Sequence, residues 1–335
     1  MKESSESEGR VELYHGPEHP EELKKIAEKL FKTLNLGSEE QQVALMAIEY
    51  HDVVIEEDYD RNDKNPLLMI KRKRGTREGD KPMGAEGNEA LSAKKLREAM
   101  EQSGVFTEEQ IKNAVWAIEA TYPAVDLGPD FKGASFKEYP YFEAAVGQNK
   151  ELGQLFQDSE KKGIAKGPLF FQPHLEKPLE DGQEVPKEVL VVALSDLGGC
   201  GTKEAEEFAN EGNKELRELL VNLRDSKNLA EINKTERKEL AEKFIDWAKS
   251  QAGFVAFQAL RFEKIVHLLK KKQITDDQEQ QLRGQFSHYI DNIQAAVQRA
   301  EKLKKDYDND LSLVGEKPAF KNLALKMGYK LTQGN

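Results

Sequence analysis

The chain has almost no cysteine and no apolar segment long enough to cross a membrane. Its 335 residues include one cysteine, Cys200, which excludes an intramolecular disulfide and a cysteine-based zinc site. No stretch approaches the roughly 20 apolar residues that span a bilayer, and the polar N-terminus MKESSESEGR has no apolar secretory segment. These absences predict a protein of a reducing, cytoplasmic compartment that does not span a membrane.

Strand patterns are also scarce. The sequence shows no sustained alternation of apolar and polar residues and no Asn-Gly hairpin turn. Charged residues make up 33% of the chain and hydrophobic residues 38%, a mixture that suits helices with narrow apolar stripes and wide solvated faces. We therefore predict an all-α fold.

Acidic residues outnumber basic ones, and the formal net charge is -11. Most of such a surface would repel a phosphate backbone, so we expect no polymeric nucleic acid as a partner. A small anionic substrate is still admitted, because a bound metal ion and a few local Lys or Arg side chains can reverse the sign of the charge inside a cleft.

Capping residues mark the expected helix boundaries. Pro20 fits the first turn of a helix whose apolar residues share one face, and Gly37 is expected to end it. Ser or Thr followed three residues later by Gln predicts three further helix starts, at Ser38–Gln41, Thr107–Gln110 and Thr275–Gln278.

The helical pattern divides the chain into a tail, a domain and an extension. We predict a disordered tail over 1–10, a helical domain over 11–200, and over 201–335 a helical extension that packs on the domain or forms an interface. Two segments interrupt the domain. Residues 56–87 are expected to form a loop or flap, and 122–186, rich in aromatic residues and proline, irregular structure with short helices.

Three of the six histidines fall within the first 51 residues. His15 and His19 precede or open the first helix, and the pair His51-Asp52 lies late in the second, after an apolar run. An ionised carboxylate at the buried end of a helix needs a strong partner, and a divalent cation is one, because imidazole and carboxylate both ligate such ions. Neighbouring helical residues diverge by about 100°, so both reach one ion only where several helices converge.

Four short motifs occur in a familiar order: YHGPEH at 14–19, YHDVVI at 50–55, NEALSA at 88–93 and IEAT at 118–121. With them the chain resembles the HD superfamily of metal-dependent phosphohydrolases. The similarity is to a bacterial branch with the pattern YHNxxH, FHDxVY, NExxSA and IxxT, whose opening is shared with cyclic-nucleotide phosphodiesterases. The resemblance implies an HD-type helical bundle, here with a long helical C-terminal extension.

The resemblance also implies roles for particular residues. His19, His51 and Asp52 become metal ligands, and His15 becomes the proton donor to the leaving oxygen. The family's last ligand is an aspartate on a later buried helix. Asp196 fits, because it follows six apolar residues and would otherwise be a costly buried charge. Asp126 is the rival, since it comes soon after the IEAT motif.

Two departures from the family pattern bear on the site. Gly16 stands where the family has an asparagine, and Ile55 stands where two-metal members often carry another histidine. We therefore expect one tightly bound ion of Mn, Fe, Mg, Zn or a similar metal. Glu56 could hold a water or a second, more weakly bound ion. Glu89 is a candidate for contact with the metal ligands rather than with the ion itself.

The basic run of the flap supplies candidate phosphate contacts. Its charges could reach over a bound phosphate, although such a run between polar loops is also typical of a plain solvated segment. The residues concerned are Lys71, Arg72, Lys73 and Arg74.

The function expected from these residues is hydrolysis of a phosphate ester, of a nucleotide or another small phosphorylated metabolite. A metal-activated water would attack while His15 donates a proton, with Asp52 and Asp196 holding the metal and one of them accepting the water's proton. The alternative is a non-catalytic HD-fold regulatory module that acts through its C-terminal helices. Residues 201–335 could then extend the bundle, cover the site or form a homodimer interface.

Overall fold

The computed structural model describes most of the chain. The described residues are 14–16, 18–55, 57–58, 60, 62–72, 87–122, 124–126, 134–135, 143, 150–161, 166–167, 169–224, 229, 232–271 and 273–329. The predicted N-terminal tail over 1–10 lies outside them.

Helices dominate the described residues and confirm the all-α fold class. In chain order they are α1 (Glu18–Leu34), α2 (Ser38–Tyr50), α3 (Asn88–Ser103), α4 (Glu108–Glu119), α5 (Lys150–Lys161), α6 (Pro173–Glu180), α7 (Lys187–Thr202), α8 (Ala205–Leu219), α9 (Lys234–Lys270), α10 (Asp276–Gln285), α11 (Tyr289–Val314) and α12 (Glu316–Lys326). A single turn of 3-10 helix, Val221–Leu223, follows α8.

The few strands are short antiparallel pairs inside the two segments expected to be irregular. Strand β1 (Glu57–Asp58) pairs with β2 (Lys71–Arg72), β3 (Ala124–Asp126) with β6 (Leu169–Phe171), and β4 (Ala134–Ser135) with β5 (Lys166–Gly167). Each pair is too short to build a sheet of its own, and the helices carry the fold.

Helix ends follow the capping residues with two corrections, at Gly37 and at Ser38. Helix α1 already ends at Leu34, so Gly37 does not end it. Thr107 and Thr275 cap α4 and α10 with reciprocal bonds to a glutamine three residues on, as predicted. Ser38 is instead the first residue of α2, and Gly37 is its N-cap residue. The Glu40 carboxylate accepts a hydrogen bond from the backbone N–H of Gly37 at 2.6 Å. The sequence allows a cap at Ser38 with Gln41 as its partner or a cap at Gly37 with Glu40 as its partner, because Glu40 and Gln41 are adjacent.

One apolar core joins the N-terminal and C-terminal helices. Helix α7 packs against α1, α2 and α4, and α3 packs on α4. The second half of α9 and the start of α11 contribute to the same core, through buried residues such as Phe257 and Ile293. The extension therefore packs on the bundle; the predicted division at residue 200 stays a prediction.

A second core lies at the other end of α9. It gathers apolar side chains from the end of α8, the first half of α9, the middle of α11, and α12, and Phe244 packs against both Phe320 and Tyr329. With 37 residues α9 is about 55 Å long, which is why one helix reaches both cores. Among the described helices, none is apolar enough over a sufficient length to cross a membrane.

Candidate metal centre

The first two histidines meet at the start of α1. His15 lies in a turn just before the helix, and His19 lies in its first turn, 5% exposed. The backbone N–H of His19 donates to the carbonyl of Gly16 at 3.0 Å. This turn brings the two imidazole rings to a centroid separation of 5.4 Å, so both face the same side of the bundle.

The pair His51-Asp52 lies where α2 ends. The helix stops at Tyr50, and His51 is its C-cap residue, 2% exposed. The sequence places the pair late in this helix, and the structure places it directly after the last helical residue. His51 keeps helical dihedral angles, φ -58° and ψ -34°, and its Nε2 lies 3.1 Å from Asp52 Oδ2.

Asp196 comes to this site on α7. Its Oδ1 lies 3.6 Å from His51 Nε2, and the helix around it is buried on α1, α2 and α4. Asp126 is described only as backbone, in β3 beside Leu169. Of the two candidate aspartates, Asp196 is therefore the one whose carboxylate the structure places beside His51.

The distances between these groups suit one divalent ion. His19 Nε2 lies 3.4 Å from His51 Nε2 and 3.7 Å from Asp52 Oδ2. Two ligands each about 2.1 Å from an ion are about 3.0 Å apart in octahedral and about 3.4 Å apart in tetrahedral coordination. The residues present thus fit a metal ion, and they form two overlapping groups that share His19: His19 with His51 and Asp196, and His15 with His19 and Asp52.

A backbone hydrogen bond orients His51. Its Nδ1 lies 2.7 Å from the carbonyl oxygen of Ile48, and because a carbonyl only accepts, Nδ1 carries a proton. Nε2 is then the nitrogen that faces the cluster, an arrangement common for metal-binding histidines.

The electrostatics of the cluster are strongly perturbed. Burial, and after it the charges of His51 and His15, lower the pKa of His19 to about 3. Burial alone would also lower the pKa of His51, but the charge and hydrogen bond of Asp52, with the charge of Asp196, raise it to about 9. Such opposed shifts within a few ångströms are typical of functional sites.

Sequence reasoning missed Glu218, which belongs to the site. This carboxylate of α8 is 4% exposed; its Oε2 accepts from the backbone N–H of His15 at 3.0 Å, and its Oε1 lies 3.1 Å from His15 Nδ1. Nε2 of His15 then faces Asp52 Oδ2 at 3.5 Å. No motif near Glu218 marks it, because its partner lies 203 positions earlier in the chain.

Tyr14 packs over the histidines and was not assigned a role from the sequence. Its ring centroid lies 4.7 Å from that of His15 and 4.9 Å from that of His19. Burial, and after it the charges of nearby carboxylates, raise the pKa of Tyr14 well above its ordinary value. Its hydroxyl therefore stays protonated and can donate a hydrogen bond.

The NEALSA motif opens α3 close to the His-Asp pair. Ser92 is fully buried, and its Oγ accepts from the backbone N–H of Val54 at 3.1 Å, which ties the segment after Asp52 to α3. Glu89 is 2% exposed and lies one turn earlier on the helix. Gly87 is the N-cap residue of α3.

The basic flap and Glu56 are only partly described. Lys71 and Arg72 are described as the backbone of β2, paired with Glu57 and Asp58. The side chains of these two basic residues lie outside the described part of the structure, as do all atoms of Lys73, Arg74 and Glu56. Their predicted contacts with a phosphate or a second ion stay predictions.

Comparison with known proteins identifies no relative. The chain matches no family model, no curated protein and no solved structure. The roles assigned below therefore rest on the residues of this chain and on their geometry.

Proposed function

We propose that the chain is a metal-dependent phosphohydrolase of the HD type that cleaves a small phosphate ester, such as a nucleotide. One observation carries the proposal. The sequence spreads four side chains over 19–196, and the structure places the two histidines 3.4 Å apart with each carboxylate within 3.7 Å of one of them: His19, His51, Asp52 and Asp196. Two buried imidazoles this close to each other and to two carboxylates are costly without a cation.

The four residues would hold the ion, with Ile48 orienting His51 through its carbonyl. When bound, a divalent ion supplies Lewis acidity toward a phosphoryl oxygen and lowers the pKa of a coordinated water. Mn, Fe, Mg and Zn all remain candidates, because two imidazoles and two carboxylates suit each of them.

His15 is the proton donor of the proposed reaction. Its Nδ1 is engaged by Glu218 at 3.1 Å, so Nε2 is directed toward Asp52 and the cluster. A proton at Nε2 can pass to the departing oxygen, while the Glu218 carboxylate stabilises the proton on Nδ1. Tyr14 packs on the rings of both His15 and His19 and limits their rotation.

The test combines metal content with turnover. We expect wild type to carry about one equivalent of metal by elemental mass spectrometry and to hydrolyse at least one member of a nucleotide and phosphodiester panel. Asp52→Ala should lose both properties, whereas Asp277→Ala, an exposed aspartate of α10, should keep both.

Other results would redirect the proposal. Metal without turnover of any panel member would favour the regulatory module that acts through its C-terminal helices. Failure to bind metal after reconstitution with Mn, Fe, Mg and Zn would overturn the site itself. The cytoplasmic location is also a proposal, and the single cysteine supports it.

A further inference from the structure

The C-terminal end of α8 lies beside the proposed proton donor. Glu218, in the last turn of the helix, contacts His15 through both carboxylate oxygens, and the helix ends one residue later at Leu219. The last four carbonyl groups of an α-helix have no partner inside the helix. Because Glu218 is buried, its backbone carbonyl oxygen needs a donor from outside α8. The position of this residue therefore depends on the groups that complete the helix end.

Arg224 supplies the donor for Glu218. Its Nε donates to the Glu218 carbonyl oxygen at 2.8 Å, and its Nη2 lies 2.6 Å from Glu57 Oε1 in the flap. A guanidinium presents its donors in a rigid fork, so it can hold a carbonyl and a carboxylate in fixed positions at the same time. A positive charge also suits a helix C-terminus, where the helix dipole disfavours a carboxylate such as that of Glu218. Arg224 thereby joins the flap to the helix turn that holds His15.

The described part of the flap completes the same helix end. The carbonyl oxygen of Leu219 accepts from the backbone N–H of Ile70 at 3.0 Å. Three residues further on, Asn222 Nδ2 donates to two flap carbonyls, those of Asp63 at 2.9 Å and Asn65 at 2.8 Å. The flap is therefore fastened to the chain immediately after the residue that holds the proton donor, and the end of α8 is complete only while the flap is in place.

We propose that Arg224 is a positioning residue that couples the flap to His15 through Glu218. The inference rests on the proposed function only for the role of His15 as proton donor. While Arg224 bridges the flap and Glu218, the last turn of α8 is fixed, and the carboxylate keeps the ring of His15 directed toward the metal centre. When the bridge is broken, the last turn can fray, as unsupported helix ends do, and the carboxylate releases the ring.

A double-mutant cycle on kcat tests the coupling. Arg224→Gln and Glu57→Gln each break the bridge, and we expect each to lower kcat by about 2–30-fold with metal content unchanged. If Arg224 acts through Glu218, the double variant Arg224→Gln/Glu218→Gln should be no slower than Glu218→Gln alone, because the contact with the donor is already impaired. Two independent effects would instead multiply.

Hydrogen exchange measures the coupling without any substrate. The backbone N–H of His15 is protected by its bond to Glu218, so in Arg224→Gln it should exchange about 2–30-fold faster. The backbone N–H of Gln110 also bonds to a side chain, the hydroxyl of Thr107 at 3.2 Å, and it should exchange at the wild-type rate. Nuclear magnetic resonance on the full chain follows both amides.

Arg237→Gln is the matched control. Arg237 of α9 also bridges a carboxylate and a backbone carbonyl, those of Glu316 and Ile232. Its side chain is 15% exposed, against 26% for that of Arg224, so the two substitutions remove the same kinds of contact at similar burial. Arg237→Gln should keep the wild-type kcat and the wild-type exchange rate of the His15 amide.

The two measurements separate this inference from the proposed hydrolysis. If wild type turns over no substrate, the hydrolysis fails, and the exchange rate of the His15 amide still decides the coupling. The coupling is overturned if Arg224→Gln leaves that rate unchanged, if it leaves the kcat of an active protein unchanged, or if Arg237→Gln has equal effects. Multiplying effects of Arg224→Gln and Glu218→Gln on kcat would also overturn it, because Arg224 would then act by another route.

Discussion

Glu218 contacts His15 through both of its carboxylate oxygens, one on the backbone N–H at 3.0 Å and one near Nδ1 at 3.1 Å. A residue of the C-terminal half thereby positions the predicted proton donor of the N-terminal half. Arg224 supports this contact from the next turn, since its Nε donates to the carbonyl of Glu218 at 2.8 Å and its Nη2 lies 2.6 Å from Glu57.

Replacing Glu218 should impair turnover and spare metal binding. In Glu218→Gln the amide can accept only one of the two bonds from His15, so the ring loses its fixed orientation. We expect kcat to fall by about 10–100-fold, with metal content unchanged. Steady-state kinetics on the substrate found in the panel, together with elemental mass spectrometry, measures both.

Glu239→Gln is the control, because Glu239 is an exposed glutamate of α9. It should keep the wild-type kcat. An unchanged kcat in Glu218→Gln would mean that the contact with His15 has no part in the reaction.

The last ligand can be identified by comparing two aspartates. Asp196 Oδ1 lies 3.6 Å from His51 Nε2, so Asp196→Asn should weaken metal binding by more than the roughly 10–100-fold that loss of an outer contact costs. Asp126→Asn should leave the affinity unchanged. Competition with a chelator of known affinity measures the metal affinity of each variant. Weaker binding in Asp126→Asn with unchanged binding in Asp196→Asn would transfer the ligand role to Asp126.

The stability of the metal-free protein should be greatest near pH 6.5. The pKa of His51 is raised to about 9, so its contribution to the free energy of unfolding is fully present below pH 6.5 and is lost as pH rises through 9. The pKa of His19 is lowered to about 3, so the unfolded chain binds a proton that the folded protein does not, and stability falls as pH drops from 6.5. Each histidine changes the free energy of unfolding by at most about 1.4 kcal/mol per pH unit.

Urea denaturation of the chelator-treated protein between pH 5 and 9 measures this dependence. His51→Gln should remove the loss of stability above pH 6.5, and His174→Gln should retain it. In wild type, metal binding at pH 7.5 should release about one proton, because the ion replaces the proton on His51 Nε2. A flat stability profile in wild type would contradict the shifted pKa values.

Close helix packing just beyond Asp196 sets a steric limit. A Cβ at Gly198 would lie 2.3 Å from Cε1 of the buried Phe286 ring, which cannot move aside without displacing its neighbours. Gly198→Ala should therefore lower the free energy of unfolding by about 1–3 kcal/mol. Thermal and urea denaturation of the metal-free protein would measure the change.

Gly284→Ala is the matched control. A Cβ at Gly284, in α10, meets no atom within 4 Å, and alanine favours a helix over glycine by up to about 1 kcal/mol. This variant should be unchanged or slightly more stable. Equal stability of the two variants would show that Phe286 adapts to the added methyl group.

Capping residues predicted helix starts because a capping side chain and its hydrogen-bond partner lie only a few positions apart in the chain. Thr107 and Thr275 cap their helices through residues three positions away. Helix α8 ends at Leu219, where Leu220 and the 3-10 turn Val221–Leu223 interrupt the helical pattern. Leu220 is an ordinary helix former, but its backbone pairs with Met69 from the flap segment, a contact that no local pattern contains.

The all-α class and the chemistry of the candidate ligands could be predicted from contiguous residues, because helix periodicity and short motifs such as YHGPEH and NEALSA are local patterns. The approach of Asp196 to His51 and the contact of Glu218 with His15 appear only when the helices pack together. The reason is physical: a convergent site depends on helix packing and on where each helix stops. Residues as far apart as His15 and Glu218 become neighbours only when the two cores form around α9.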